Sequence, residues 1–140
     1  HEALMRKESG LSKAEREMIV VATSAVNNCL YCVVAHGAIL RIYEKSTQIS
    51  EQIATNFRKA DITDRQKAML EFAEKVALQS DQIAGPDFQA LHAHGFSDED
   101  IWDIGAVTAL FALSNRMASL TSMRPNDEFY AMGRSFADKS

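Results

Sequence analysis

The sequence predicts an all-α fold, and three observations carry that prediction. Apolar residues recur at mixed spacings of three and four along most of the 140 residues, and no period-2 alternation is long enough for a sheet. Three of the apolar stretches are preceded by a capping pattern, Ser12 with Glu15, Thr63 with Gln66 and Ser97 with Asp100, which satisfies orphan backbone donors at a helix start. Only 6 glycines and 2 prolines punctuate the chain, too few for the turns of a sandwich or barrel.

The first helix starts at Ser12-Lys13-Ala14-Glu15 and carries Met18, Ile19, Val21, Ala22, Ala25 and Val26. Asn27-Asn28, a pair that favours caps over helix interiors, breaks it. A second helix starts at about Cys29 and carries Cys32, His36, Ile39, Leu40 and Tyr43. The largely polar stretch from Lys45 to Gln52, and the residues that follow it up to Thr63, are assigned no element. From Thr63 an amphipathic helix of about five turns presents Met69, Phe72, Ala73, Val76 and Ala77 on one face. Gly85-Pro86 places proline in a first helical turn, and Gly95 closes a short helix containing Phe88, Leu91 and His92. The last long helix opens at Ser97-Asp98-Glu99-Asp100. Its stretch from Ile101 to Met117 is apolar nearly all round, which calls for burial inside the domain or against another subunit. Ahead of these elements, His1 to Glu8 read as the tail of a helix stopped by Gly10, so the chain is expected to lack an N-terminal segment. With no linker, no low-complexity segment and no repeat array, residues 1–140 read as one domain.

Hydrophobic residues make up 46% and charged ones 24%, enough apolar surface for a core and too much for disorder. Fifteen Lys and Arg against 19 Asp and Glu leave a net charge of -4 without a basic stripe, which argues against nucleic acid as a partner. The longest apolar run, Ile104 to Leu113, includes Gly105 and Thr108 and falls short of the roughly 20 residues of a membrane span. No basic-then-apolar leader stands at the start. A soluble, cytoplasmic protein is expected.

The informative stretch is Glu17, eleven residues, then Cys29-Leu30-Tyr31-Cys32-Val33-Val34-Ala35-His36. Two cysteines this close cannot staple distant segments, so they imply local chemistry. On one helix Cys29 and His36 lie about 20° apart in azimuth and Cys32 about 40 to 60° from each, so all three share a face. His36 is one turn beyond Cys32 and serves it more directly than Cys29. Glu17 would sit about 120° off that face on an unbroken helix, so it reaches the imidazole only if the chain folds back at Asn27-Asn28. A carboxylate there would orient the ring, in the manner of a nucleophile, base and orienter triad. A cysteine in a first helical turn also feels the positive end of the helix dipole, which favours thiolate. Against this stand two plainer readings: cysteines as small core residues, and a zinc site, for which a pair and a single His on one helix is crowded.

The pattern Glu-x11-Cys-x2-Cys-x3-His resembles the active-site signature of the alkyl hydroperoxidase AhpD-like proteins of the carboxymuconolactone decarboxylase superfamily. The peroxidase-related branch is the most similar, over nearly the whole chain, including Phe96-Ser97-Asp98-Glu99-Asp100-Ile101. The resemblance implies an all-helical fold that oligomerises as trimers or hexamers, and peroxide reduction through a Cys-x-x-Cys disulfide with no cofactor. It makes Cys32 the peroxidatic thiolate, Cys29 the resolving cysteine, and Glu17 and His36 the proton relay. Other members carry a second His where this chain has Tyr31, which donates a hydrogen bond but is a poor base near neutral pH. The decarboxylases of the superfamily lack the cysteine pair.

The expected function is therefore a thiol peroxidase whose partners are a peroxide substrate, a dithiol electron donor and further copies of the chain. A general thiol-disulfide oxidoreductase and a non-catalytic zinc-binding helical oligomer are the alternatives. His92 and His94 read as surface groups or helix-end charges. Trp102 and the phenylalanines read as core. Asn115-Arg116, polar within an apolar helix, calls for an ion pair or an interface role.

Overall fold

In the computed structural model, Leu4, Met5 and residues 10–135 are described; apart from Leu4 and Met5, the helical tail expected over His1 to Glu8 lies outside them. Seven α-helices follow among the described residues: α1 Lys13–Val26, α2 Leu30–Glu44, α3 Ile49–Asn56, α4 Asp64–Gln79, α5 Gly85–Ala93, α6 Asp98–Leu120 and α7 Asp127–Ala131. No strand occurs among them, and the fold is all-α. The capping logic holds at α1, α4 and α6: the Ser12, Thr63 and Ser97 side chains accept from the backbone N–H three residues on, and Glu15, Gln66 and Asp100 reach back. Asp100 also accepts from the Gly10 N–H at 2.9 Å, which ties the chain before α1 to the start of α6. Gly95, at φ 86°, ends α5 in a left-handed residue, with Phe96 N–H bonded to the Leu91 carbonyl and Gly95 N–H to that of His92.

α1 is the central helix. It packs against α2, α3, α4 and α6, and every residue from Glu15 to Ser24 is buried. Met18, Ile19, Val20 and Val21 join Leu40, Ile53, Met69, Leu70, Ile104, Val107 and Phe111 in the core. Each fully buried aliphatic side chain there contributes about 1.5–3 kcal/mol.

α3 was not expected. Its core anchors Ile49, Ile53 and the following Phe57 recur every fourth residue, but Gln48 supplies no side-chain cap and Ser50, Glu51, Gln52 and Thr55 hide the stripe in polar sequence. The helix exists because tertiary packing covers those three side chains.

α6 presents two apolar faces, and only one is covered. Ile101, Ile104, Val107, Phe111 and Ala118 are buried, whereas Trp102, Leu113, Met117 and Leu120 form an exposed stripe. Trp102, expected in the core, is 71% exposed, and Phe88 is exposed as well. The reason is azimuth: Trp102 is two residues from Ile104, about 200° round the helix.

A buried guanidinium holds the C-terminal segment down. Arg41, 2% exposed, donates to the Met132 carbonyl at 2.8 Å, the Phe129 carbonyl at 2.9 Å and Ser50 Oγ at 2.8 Å. Arg41→Met keeps the stem but orphans those acceptors. It is expected to lower unfolding free energy by about 2–4 kcal/mol in urea denaturation.

Candidate functional site

The break between α1 and α2 is built from backbone bonds. Asn27 caps α1 and Asn28 takes the left-handed conformation at φ 55°. Cys29 N–H bonds to the Ser24 carbonyl and Asn28 N–H to that of Ala25. These are the two bonds of a Schellman motif, in which Asn tolerates the left-handed residue. Cys29, the residue after that turn, is at once the N-cap of α2, and its sulfur accepts from the Cys32 N–H at 3.4 Å. The expectation of Cys29 on the helix proper is corrected by this: Cys29 caps α2 with an extended backbone, and its sulfur folds over the first turn.

The chain then runs back along α1. Cys29 and Cys32 are free thiols, 1% and 3% exposed, with their sulfurs 2.8 Å apart. One to two turns on, His36 Nδ1 and Glu17 Oε2 meet at 2.6 Å, both largely shielded from solvent. The His36 ring packs nearly perpendicular to that of Phe111 of α6, with centroids 4.9 Å apart. The fold-back at Asn27-Asn28 thus joins the carboxylate to the imidazole, as the sequence requires. Tyr31 packs against the cysteine pair and Ala118.

The electrostatics of Cys32 run against the expectation of a favoured thiolate. Burial first, and then the hydrogen bond with Cys29, push its thiol up to about 11. The helix dipole is a partial charge at a surface end, and desolvation of a charged sulfur outweighs it.

Two polar side chains that the sequence does not nominate stand at Cys32. Ser24 of α1 and Asn115 of α6, 0% and 1% exposed, lie beside it and pull the thiol down against burial. Asn115 Nδ2 donates to Ser24 Oγ at 2.9 Å, and Asn115 Oδ1 accepts from Asn27 Nδ2 at 3.0 Å. A signal for Ser24 exists: it is seven residues after Glu17, about 20° away in azimuth, and so on the same face. Asn115 stands out in an apolar helix, but only packing tells what it faces. Its neighbour Arg116 is exposed, with its guanidinium on the Ala112 carbonyl at 2.8 Å, so the costly burial expected of it does not arise.

A cleft of about 330 Å³ opens beside the turn, lined by Cys29, Leu30, Tyr31, Ala118, Met123 and Arg124 among others. Elsewhere, His92 Nε2 meets Asp98 at 2.7 Å on the surface and His94 is exposed at the end of α5. Among the described residues, no group of three or more His, Cys, Asp and Glu side chains is arranged to hold a metal ion, and no helix is long and apolar enough to cross a membrane.

Comparison with known proteins adds the relatives. The sequence model of the carboxymuconolactone decarboxylase family matches residues 1–74, just over half of the chain. Among solved structures, the alkylhydroperoxidase AhpD core of an uncharacterised peroxidase-related protein from Ralstonia eutropha JMP134 is 65% identical, covers 96% of this chain and 70% of its own, and superposes with a TM-score of 0.94. An uncharacterised peroxidase-related protein from Silicibacter sp. TM1040 is 47% identical over 95% of this chain and 70% of its own, with a TM-score of 0.92. A protein of unknown function from Agrobacterium tumefaciens, whose name links it to antioxidant defence and AhpD, is 25% identical over 90% of this chain and 86% of its own, with a TM-score of 0.77. No curated protein matches.

Proposed function

This chain belongs to the carboxymuconolactone decarboxylase family as an AhpD-like member, and on that premise we propose that it reduces peroxides through a dithiol–disulfide cycle. The observation that carries the reading is one helix junction holding two free thiols in contact and a shielded Glu–His pair on the adjoining turns. The relatives named peroxidase-related support it.

In the proposed cycle His36, oriented by Glu17, accepts the proton of Cys32. The thiolate attacks the outer peroxide oxygen, the O–O bond breaks, and an alcohol leaves with the proton while Cys32 becomes a sulfenic acid. Cys29 attacks that sulfur, expelling water and leaving a disulfide. An external dithiol then reduces the pair and is itself oxidised. Tyr31, packed at the cysteine pair, provides a hydroxyl but no base. The base matters because a thiol held near 11 is only about 10⁻⁴ thiolate at pH 7. Purified protein given cumene hydroperoxide and dithiothreitol should consume peroxide and pass through a species with both thiols oxidised together; peroxide left untouched would defeat the reading.

One observation favours a second order of events: Cys29, and not Cys32, lines the cleft, both thiols being buried. Dimedone trapping in the single variants distinguishes the two. Sulfenic acid that forms in Cys29→Ser and not in Cys32→Ser supports attack by Cys32, and the reverse pattern supports attack by Cys29.

The reading includes homo-oligomers, supported by the exposed stripe of Trp102, Leu113, Met117 and Leu120 on α6. Wild-type protein should scatter light as a multiple of the monomer mass, and Leu113→Glu with Met117→Lys should shift it to the monomer. A wild-type monomer at micromolar concentration removes this part.

A further inference from the structure

We propose that the cleft beside the Asn27-Asn28 turn docks the thiol reductant, that Cys29 is the sulfur the reductant attacks, and that Arg124 selects small aliphatic thiols bearing a carboxylate. The inference deepens the thiol chemistry proposed above and rests on it.

The cleft, about 330 Å³, has room for a small molecule. One wall is the start of α2, with Cys29, Leu30 and Tyr31, and the other is the end of α6, with Ala118, Met123 and Arg124. Of the two cysteines only Cys29 belongs to it, so a thiol that enters once the disulfide has formed meets the Cys29 sulfur and not that of Cys32. That sulfur is 1% exposed, and the thiol has to displace lining side chains to reach it. Leu30 and Met123, each 47% exposed, exchange rotamers within nanoseconds.

The case for a carboxylate is one of charge. Arg124 is the one Lys, Arg, Asp or Glu among the described residues that line the cleft. The neighbouring cleft, which shares Ser119, is lined by Arg116 and again by no described carboxylate. In a chain with 19 acidic and 15 basic residues this surface is locally cationic, and its field draws an anion. The backbone that carries Arg124 is fixed on both sides. Before it, Ser122 is left-handed at φ 58° and the Met123 N–H bonds to the Ala118 carbonyl; after it, Pro125 is buried. The guanidinium is exposed and makes no ion pair or hydrogen bond to another described residue, so its planar donors are open to a carboxylate. Leu30, Ala118 and Met123 suit an aliphatic body beside it.

In the proposed step the incoming thiolate attacks Cys29 Sγ. A new S–S bond forms, the Cys29–Cys32 bond breaks, and Cys32 leaves as a thiolate that takes up a proton. A second thiol then attacks the reductant's sulfur, Cys29 is released, and the reductant departs as its own disulfide, two electrons having passed to the pair.

The test uses protein whose pair has been closed with diamide, mixed with mercaptopropionate or with neutral mercaptoethanol, and reads the return of free thiols by alkylation and mass spectrometry. The ratio of the two rates cancels general effects of a substitution on the disulfide. Arg124→Gln should lower the ratio about fivefold and Arg124→Glu about tenfold or more, while Arg124→Lys should keep most of it. Salt should lower the wild-type ratio, since the contact lies at the surface. A second arm identifies the sulfur: incubated with dithiodipropionate, Cys32→Ser should form the mixed disulfide at Cys29 faster than Cys29→Ser forms one at Cys32. Circular dichroism checks folding. A ratio that Arg124→Glu does not move, or faster capture at Cys32, overturns the proposal. No peroxide is used, so the expected ratios in a protein that leaves peroxide untouched defeat the peroxidase reading alone, whereas turnover with an unmoved ratio defeats this one.

Discussion

Cys32→Ser is expected to reduce peroxide turnover by roughly a thousandfold or more, because a serine hydroxyl supplies no nucleophile comparable with thiolate near neutral pH. The substitution removes little packing volume at a buried position. Folding, followed by circular dichroism, should therefore be unchanged. Cys29→Ser should fail differently. It should still oxidise once at Cys32 and then stall at sulfenic acid, because no neighbouring thiol closes the disulfide. A stoichiometric burst without turnover, read by peroxide consumption over the first minute, is the expected signature. Full turnover in either variant would rule out the two-cysteine cycle.

The second large effect is expected at Glu17 and His36. In the proposed relay, the 2.6 Å contact between them would make the carboxylate an orienter of the ring and a counter-charge for the imidazolium formed when the ring takes a proton. Glu17→Gln and His36→Gln should each slow the attack on peroxide at pH 7 by about a hundredfold, within the usual range for loss of a general base. The double variant should lose little more than the worse single one, since two parts of one relay fail as a unit. The pH profile supplies the independent check. Cys32 is held up to about 11, so without a base the rate should climb about tenfold per pH unit from 7 towards that value, following the thiolate fraction. The wild-type profile should be flatter. Losses that multiply in the double variant would mean that the two residues act independently; an unchanged Glu17→Gln would make Glu17 a buried structural carboxylate.

Among the described residues, the sequence by itself determined the helices that start with a capping box, the one that ends at Gly95, and the break at Asn27-Asn28. Each is a local matter, settled by side chains bonding to backbone groups within three or four residues. It also set the condition for Glu17 to meet His36, a reversal at Asn27-Asn28, and the left-handed Asn28 of the structure supplies it. Packing alone decided the rest. α3 carries no cap and shows a stripe of three side chains in polar sequence, so its existence depends on what covers it. Trp102 and Ile104 are both apolar, and only the helices packed on one side of α6 make one exposed and the other core. Ser24 and Asn115 lie 91 residues apart and meet because α6 crosses α1 beside the cysteines. The charge state of Cys32 is the sharpest case. A first-turn position favours thiolate in sequence, yet the desolvation that reverses it comes from side chains gathered from three helices, and no local pattern records how much water they exclude.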